Sequence, residues 1–155
     1  NRMKIIDGDI FESGADIIAH QVNCQGVMGS GVAKQVREKY PQVYEYYKET
    51  CSKPHANLLG VCQMCPIGLS GDQWIANLFG QDKFGYDGKC YTDYDKLREA
   101  LRSLNRFAKG GKPTTVAIPY LMGCHRGGGD WEIVSKMIEE ELTDCDVTLY
   151  RYIGG

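Results

Sequence analysis

Residues 21–33 of this 155-residue chain read Gln-Val-Asn-Cys-Gln-Gly-Val-Met-Gly-Ser-Gly-Val-Ala. An apolar run ends at Asn23, glycines follow at positions 26, 29 and 31, and a helix-compatible segment begins at Val32. Glycine lets the backbone approach a ligand closely and adopt positive φ, and the first N–H groups of a helix lack internal partners. A strand, a glycine loop and a helix start in this order predict an anion cradle, for which phosphate is the natural guest.

A second glycine loop repeats this order later in the chain. The strand predicted at 115–120 runs into Gly123 and then into the glycines at 127–129, and Asp130 stands where the N-cap of a last helix belongs. Two such loops at the carboxyl ends of neighbouring strands form a crevice that clamps a diphosphate from both sides. The alternative is that these glycines only mark tight turns.

The glycine spacing excludes two common nucleotide-binding classes. Gly26-x-x-Gly29-x-Gly31 reverses the G-x-G-x-x-G order of dinucleotide oxidoreductases. The Gly-Lys-Ser/Thr ending that holds a nucleoside triphosphate with magnesium is also missing. A Rossmann dehydrogenase and a P-loop ATPase are therefore disfavoured.

Composition indicates one domain in a reducing compartment. The 18 basic and 20 acidic residues give a net charge of -2 with no basic tract, so free nucleic acid is a poor candidate ligand. Neither a run of about 20 apolar residues nor a signal pattern is present, and we expect a cytoplasmic protein without a membrane partner. Seven scattered cysteines suit reduced thiols better than a disulfide framework.

The pair Cys62 and Cys65 is the tempting metal motif. We place it in a strand, where residues three apart point to opposite faces, so the two sulfurs do not easily share one zinc ion. We therefore expect no metal and no cofactor.

Strands and helices alternate along the chain. We predict strands at 3–6, 16–22, 115–120 and 147–152, and a hairpin of 58–67 with 74–79 around the turn 68–72. Helical character over 34–50 is broken at Pro41. A further helix begins at a cap on Thr92 or Asp93 and stops at Gly110-Gly111, and a last helix follows Asp130. This pattern predicts an α/β fold with a mixed sheet and helices on both faces.

The chain resembles the macrodomain family of ADP-ribose-binding modules, in the branch of ADP-ribose-1″-phosphate phosphatases and terminal ADP-ribosyl-protein hydrolases. The resemblance spans nearly the whole chain. It is carried by Gly8-Asp9-Ile10, Ala-His-Gln-Val-Asn-Cys at 19–24, Met-Gly-Ser-Gly-Val-Ala at 28–33, Ile-Pro at 118–119, Gly123-Cys124 with Asp130-Trp131, and Val-Thr-Leu-Tyr at 147–150.

The resemblance implies a three-layer α/β/α macrodomain over residues 3–155 with a six-stranded mixed sheet. Asn1 and Arg2, which precede Met3, are set aside as a remnant of expression. The implied ligand is ADP-ribose or a derivative of it, with an ADP-ribosylated protein as a further partner. The implied ligand-binding residues are Asp9, Ile10, Asn23, Gly26, Met28, Gly29, Ser30, Gly31, Val32, Gly123, Cys124, His125, Arg126, Gly127, Gly128 and Tyr152.

Three of these residues have roles implied by the resemblance and simpler alternatives. Asp9 matches the carboxylate that accepts from the adenine amino group, or it is a turn-forming residue. Tyr152 matches the position that packs on adenine, or it is a core residue. Asn23 matches the residue that meets the distal ribose, or it only opens a turn.

Hydrolysis near the distal ribose needs a positioned water and a group that moves a proton. We expect His20, Asn23 and Asp130 to form the catalytic set. His20 precedes the first loop in the phosphatase-like pattern and imidazole titrates near neutral pH. The alternatives are a buried strand histidine and a plain helix N-cap at Asp130.

Three functions remain open. The leading hypothesis is an ADP-ribose-1″-phosphate phosphatase, a hydrolase that needs no metal ion. The second is a non-catalytic reader of ADP-ribose. The third is hydrolysis of an ADP-ribosylated glutamate or aspartate through Lys83, with O-acetyl-ADP-ribose as a further hydrolase substrate. The family pattern for the glutamate hydrolases has an acid inside the second loop, but positions 125–129 contain none, which puts the role of Lys83 in doubt.

Overall fold

The computed structural model describes residues 3–110 and 114–153. The expectations for Asn1, Arg2 and Gly111 lie outside these residues. In chain order the elements are β1 (Lys4–Asp7), a 3-10 helix (Ile10–Glu12), β2 (Ile17–Val22), α1 (Gly31–Lys39), α2 (Pro41–Ser52), β3 (Cys62–Ile67), β4 (Gln73–Phe79), α3 (Tyr94–Ala108), β5 (Thr114–Pro119), α4 (Trp131–Glu141) and β6 (Cys145–Arg151).

The six strands form one mixed sheet in the order β1-β6-β5-β2-β4-β3. β3 pairs antiparallel with β4, which confirms the predicted hairpin. The other neighbours pair in parallel, with Ile17 opposite Val116 between β2 and β5. The carboxyl ends of β1, β6, β5, β2 and β4 therefore share one edge of the sheet, and the segments that follow them lie side by side there.

Helices cover both faces of the sheet, and alternate residues of the central strands point to different helices. On one face Ile17 and Ala19 of β2 pack with the apolar stripes of α3 and α4. On the other face Ile18 and Val22 pack with Val36 of α1 and the apolar side of α2. The sheet between two helical layers confirms the three-layer α/β/α fold.

Local signals set the helix boundaries as the sequence predicts. α1 ends at Lys39 and Pro41 takes the first position of α2, where its missing N–H costs no hydrogen bond. Asp93 rather than Thr92 caps α3, since its carboxylate accepts the Lys96 N–H at 3.1 Å. The Thr92 hydroxyl instead forms hydrogen bonds with the Gln21 amide and the Gly123 carbonyl.

The cysteines are free thiols, and Cys62 and Cys65 point to opposite faces of the sheet. Cys62 packs with the α3 and α4 side, whereas Cys65 is buried on the α1 and α2 side. This confirms the strand geometry expected for the pair. Among the described residues, no helix has both the length and the apolar character needed to cross a bilayer.

His20 lies inside the sheet, 2 % exposed, with Asn77 of β4 as its paired residue. His20 Nε2 is 2.7 Å from Asn77 Oδ1, an acceptor, so Nε2 carries the proton of the neutral ring. Nδ1 is buried and has no partner in the described part of the chain. A second proton there would have no acceptor, and burial lowers the pKa of His20 from 6.5 to about 4.

We expect this histidine to make the fold sensitive to mild acid. Because the pKa is lower in the folded state, the unfolded state binds the proton first, and stability falls as the pH drops from about 6.5 toward 4. The expected loss in the free energy of unfolding between pH 7.5 and pH 5 is about 2 kcal/mol. Urea unfolding at a series of pH values measures it.

His20→Gln is the matched variant, because its amide can donate to the same Asn77 oxygen and does not titrate. Its unfolding free energy should change far less over this pH range. Parallel curves for the two proteins, or an NMR titration of the His20 ring with a midpoint near 6.5, would contradict the prediction.

Candidate functional site

The first glycine loop (residues 23–30) connects β2 to α1, and Asn23 organises its start. Asn23 Oδ1 accepts the Gln25 N–H at 2.9 Å, and Asn23 Nδ2 donates to the Val27 carbonyl at 2.9 Å. The side chain thus makes the turn that the sequence left open as an alternative. The second Nδ2 proton has no acceptor among the described residues, so it remains available to a ligand.

Tyr47 of α2 anchors this loop, and the sequence analysis did not single it out. Its buried hydroxyl lies 2.7 Å from the Asn23 carbonyl oxygen and 2.9 Å from Asn23 Oδ1, and its ring stacks on Phe79 at 5.8 Å. Burial raises the pKa of Tyr47, so the hydroxyl stays a donor. On sequence, a tyrosine in the apolar stripe of a helix reads only as core.

The backbone of the first loop has N–H groups with no hydrogen-bond acceptor in the described chain. From Val27 through Ala33, none of these groups has a hydrogen-bond partner. The Ser30 side chain makes no capping bond, so the start of α1 is open. Gly26 and Gly31 have positive φ, which shapes the loop around this row of donors. The arrangement is a nest for an anion.

The second glycine loop (residues 123–129) is closed by its own hydrogen bonds and contains a second row of free backbone N–H groups. The Gly129 N–H donates to the Gly123 carbonyl at 2.9 Å, and the Cys124 N–H donates to Leu121 at 2.9 Å. The N–H groups of residues 125–128 have no acceptor in the described ranges. Leu121 has φ of 65°, a strained value for a non-glycine residue that turns the chain into this loop.

Two glycines of the second loop are required by close packing. A Cβ on Gly127 would lie 2.5 Å from the Gly123 carbonyl oxygen, and one on Gly128 would overlap the Lys89 carbonyl oxygen. Gly128 also has φ of 68°. These glycines are therefore more than turn markers, because any side chain would push the loop away from residues 80–92.

Residues 80–92, the bridging segment, follow β4 and bind both glycine loops. At one end the Cys24 N–H donates to the Asp82 carbonyl at 2.9 Å. At the other end the N–H groups of Tyr91 and Thr92 donate to the Gly127 carbonyl at 2.7 and 3.0 Å. The segment thus fixes the distance between the two loops.

Gln21 supports the same junction from inside the sheet and was also missed. Its Nε2 donates to Gln81 Oε1 at 2.7 Å and to Thr92 Oγ1 at 2.9 Å, and the Thr92 hydroxyl donates to the Gly123 carbonyl at 2.7 Å. Gln21 Oε1 is buried without a donor among the described residues. The polar residue inside a buried strand was the signal available in the sequence.

No hydrogen bond joins any two of the three predicted catalytic residues within the described part of the chain. Asn23 lies at the first loop, and His20 is enclosed in the sheet on the α1 and α2 side, which favours the buried alternative. Asp130 accepts the Glu132 N–H at 2.9 Å as the N-cap of α4, and it borders a hollow with Arg98 of α3. Its Oδ2 has no hydrogen bond within the described residues.

Asp9 and Tyr152 lie at the other end of the same edge, after β1 and β6. Asp9 caps the 3-10 helix by accepting the Phe11 N–H at 2.9 Å, and the Ile10 side chain is buried beside it. Tyr152 is 68 % exposed, so it is not the core residue that the sequence left open. An exposed ring at this edge is suited to stacking on a base.

The thiols at the two loops are not activated nucleophiles. Burial, with a contribution from Asp82, raises the pKa of Cys24 to about 12, and burial raises that of Cys124 to about 11. Lys83 is exposed in the bridging segment, and its carbonyl accepts the Gln81 amide at 2.9 Å. No group of three metal-ligating side chains occurs in the described residues.

Known proteins are similar to this chain in sequence. The family model Macro domain matches residues 19–138. A DNA ADP-ribosyl glycohydrolase from Mycobacterium tuberculosis is 29 % identical over 96 % of this chain, which spans only 42 % of that protein. An ADP-ribose 1″-phosphate phosphatase from Saccharomyces cerevisiae is 28 % identical, with 97 % of this chain and 99 % of that protein covered.

The fold comparison agrees with the sequence comparison. The macrodomain of Mycobacterium tuberculosis DarG superposes with a TM-score of 0.79 at 25 % identity, covering 96 % of this chain and 97 % of that one. The family model covers well over half of the chain, and both glycine loops lie inside the matched residues. The chain therefore belongs to the Macro domain family.

Proposed function

We propose that this protein binds ADP-ribose and hydrolyses a substituent at its distal ribose, with ADP-ribose-1″-phosphate as the substrate. The observation that carries the proposal is the order of sites along one sheet edge. Asp9 and Tyr152 follow β1 and β6, the second loop follows β5, the first loop follows β2, and the bridging segment follows β4. An adenine site, two phosphate nests and a distal-ribose site in a row match the order of groups in ADP-ribose.

The donor rows supply the binding chemistry for the two phosphates. In this proposal the backbone N–H groups of residues 27–33 bind the diphosphate from one side and those of residues 125–128 bind it from the other. Charge-assisted hydrogen bonds from backbone amides to phosphate oxygens are stronger than neutral ones, and the start of α1 adds favourable partial charge. The side chain of Met28 is fully buried, so that residue contributes through its backbone.

Asn23 is the residue we assign to the distal ribose. The next residue, Cys24, donates its N–H to Asp82 of the bridging segment, so Asn23 lies toward the β4 end of the row. In the reaction water attacks phosphorus, the P–O bond to the ribose breaks, and the anomeric oxygen takes up the proton that the water gives off, which leaves ADP-ribose and inorganic phosphate. Asp130, with one unpartnered carboxylate oxygen, is the proposed proton acceptor for the water. His20, bonded to Asn77 inside the sheet, is assigned no part in the proton transfer.

A non-catalytic reader is the second candidate, and a specific observation favours it. His20 is enclosed and Asp130 is engaged as a helix cap, so neither predicted proton carrier lies free beside Asn23. Lys83 is the remaining candidate for covalent catalysis, since it is exposed in the segment that touches both loops. A sugar adduct trapped by reduction and lost in Lys83→Ala would support that third route.

The compartment and partners follow from composition. Seven free thiols suit a reducing compartment, so we propose cytoplasmic action on a small ADP-ribose derivative. The exposed distal end of the row would also accept ADP-ribose linked to a protein. A net charge of -2 argues against a general nucleic-acid surface.

Replacing Gly128 by alanine should weaken ADP-ribose binding by at least about tenfold, because the new Cβ displaces the second loop from the bridging segment. Calorimetry with ADP-ribose measures the effect. Gly110→Ala, at the end of α3 and away from both loops, is the control and should bind as the wild type does. Equal affinity in the two variants would remove the second loop from the site.

Removing the Tyr47 hydroxyl should loosen the first loop. Tyr47→Phe leaves the Asn23 carbonyl without its buried donor, at an expected cost of about 1 to 2 kcal/mol in unfolding free energy and a several-fold loss of ADP-ribose affinity. Tyr44→Phe on the same helix is the matched control. If both variants lose affinity equally, the Tyr47 hydroxyl does not organise the loop.

Phosphate release from ADP-ribose-1″-phosphate separates the enzyme from the reader. We expect turnover by the wild type, a loss of at least about 100-fold in kcat with Asp130→Asn, and a loss mainly in binding with Asn23→Ala. His20→Gln should keep most of the kcat. Tight ADP-ribose binding with no product from phosphorylated, acetylated or protein-linked substrates would select the reader.

A further inference from the structure

One cation of the second loop is held in place without an ionic partner. The guanidinium carbon of Arg126 lies 4.4 Å from the centre of the Tyr86 ring, over its face. Arg126 makes no hydrogen bond or ion pair with any residue that the structure describes, and both side chains are exposed. A guanidinium that packs on a ring in this way uses none of its N–H groups in a hydrogen bond, so they are available to an anion.

The contact fixes where this cation lies along the row of sites. Tyr86 belongs to the bridging segment, which touches the first loop at Asp82, next to Asn23, and the second loop at Gly127. The stack therefore joins the second loop to the segment after β4, at the end of the row that contains Asn23. The opposite end, with Asp9 and Tyr152, is separated from it by the strands β5 and β2.

The acidic groups nearby do not neutralise Arg126. Both Asp87 carboxylate oxygens lie 2.9 Å from the Tyr91 hydroxyl, and Lys89 is 3.8 Å away. Asp82 Oδ1 accepts the Gln25 amide at 3.2 Å. The carboxylates of the bridging segment thus have partners of their own, and the charge of Arg126 remains uncompensated.

We propose that Arg126, oriented by Tyr86, binds the anionic group carried by the distal ribose and thereby selects phosphate monoesters over neutral esters and over unsubstituted ADP-ribose. This inference rests on the proposed function, since it assigns the Asn23 end of the row to the distal ribose. In this assignment the backbone N–H rows bind the diphosphate, and the Arg126 guanidinium binds a separate anionic group on the distal ribose. Arg126 is then the specificity residue and Tyr86 a positioning residue that acts through it.

The test is a ratio of affinities for two ligands that differ only in the terminal phosphate. Calorimetry at low salt compares ADP-ribose with a non-hydrolysable phosphonate analogue of ADP-ribose-1″-phosphate, so that turnover does not interfere. We expect the wild type to bind the analogue at least about tenfold more tightly, since an arginine–phosphate pair is a charge-assisted bond. Arg126→Gln should bring the ratio near one while the affinity for ADP-ribose stays within about twofold.

Three further variants separate specificity from a structural role. Tyr86→Phe keeps the ring and should keep the ratio, whereas Tyr86→Leu should reduce it. Lys4→Gln removes one positive charge from the amino end of β1, at the opposite edge of the sheet, and should change nothing. Equal weakening of both ligands by Arg126→Gln, or an unchanged ratio, would overturn the inference.

The wild-type result also separates this inference from the proposed function. If ADP-ribose does not bind, the proposed function fails. If ADP-ribose binds and the wild-type ratio is near one, the proposed binding site stands and the role of Arg126 fails alone.

Discussion

The parallel pairing of β2 with β5 is the constraint on which the site depends. Each strand ends in a glycine loop, and adjacent parallel strands release their loops at the same edge, about 5 Å apart in the sheet. Two rows of backbone N–H groups without acceptors in the described chain therefore lie in neighbouring loops at that edge. Unsatisfied donors in one loop would be a minor feature, but two neighbouring rows make up the site that we propose for a diphosphate.

Side-chain hydrogen bonds from neighbouring elements hold the two loops in these conformations. Tyr47 fixes the first loop through Asn23, and Gln21 with Thr92 fixes the second loop through Gly123. The bridging segment then links the two. Because the loops are already shaped, a ligand does not have to order them on binding, and less of its binding energy is lost to that step.

The order of strands and helices was predictable from the sequence. Apolar runs, glycines, a cap at Thr92 or Asp93 and a cap at Asp130 indicated the alternation of strands and helices, and Pro41 marked the break between α1 and α2. The partners of the supporting polar side chains could not be predicted, because a hydrogen bond such as Gln21 to Thr92 joins residues 71 positions apart. His20 shows the same limit: its neutral, buried state depends on the register of β2 with β4, which places Asn77 opposite it.

The central claim is that both amide rows bind one ligand. Amide NMR spectra recorded during titration with ADP-ribose test it most directly, since each N–H reports separately. We expect large, saturable shifts at residues 27–33 and 125–128 with a common dissociation constant, together with smaller changes near Asp9 and Tyr152. Shifts confined to one loop, or different dissociation constants for the two loops, would contradict the account.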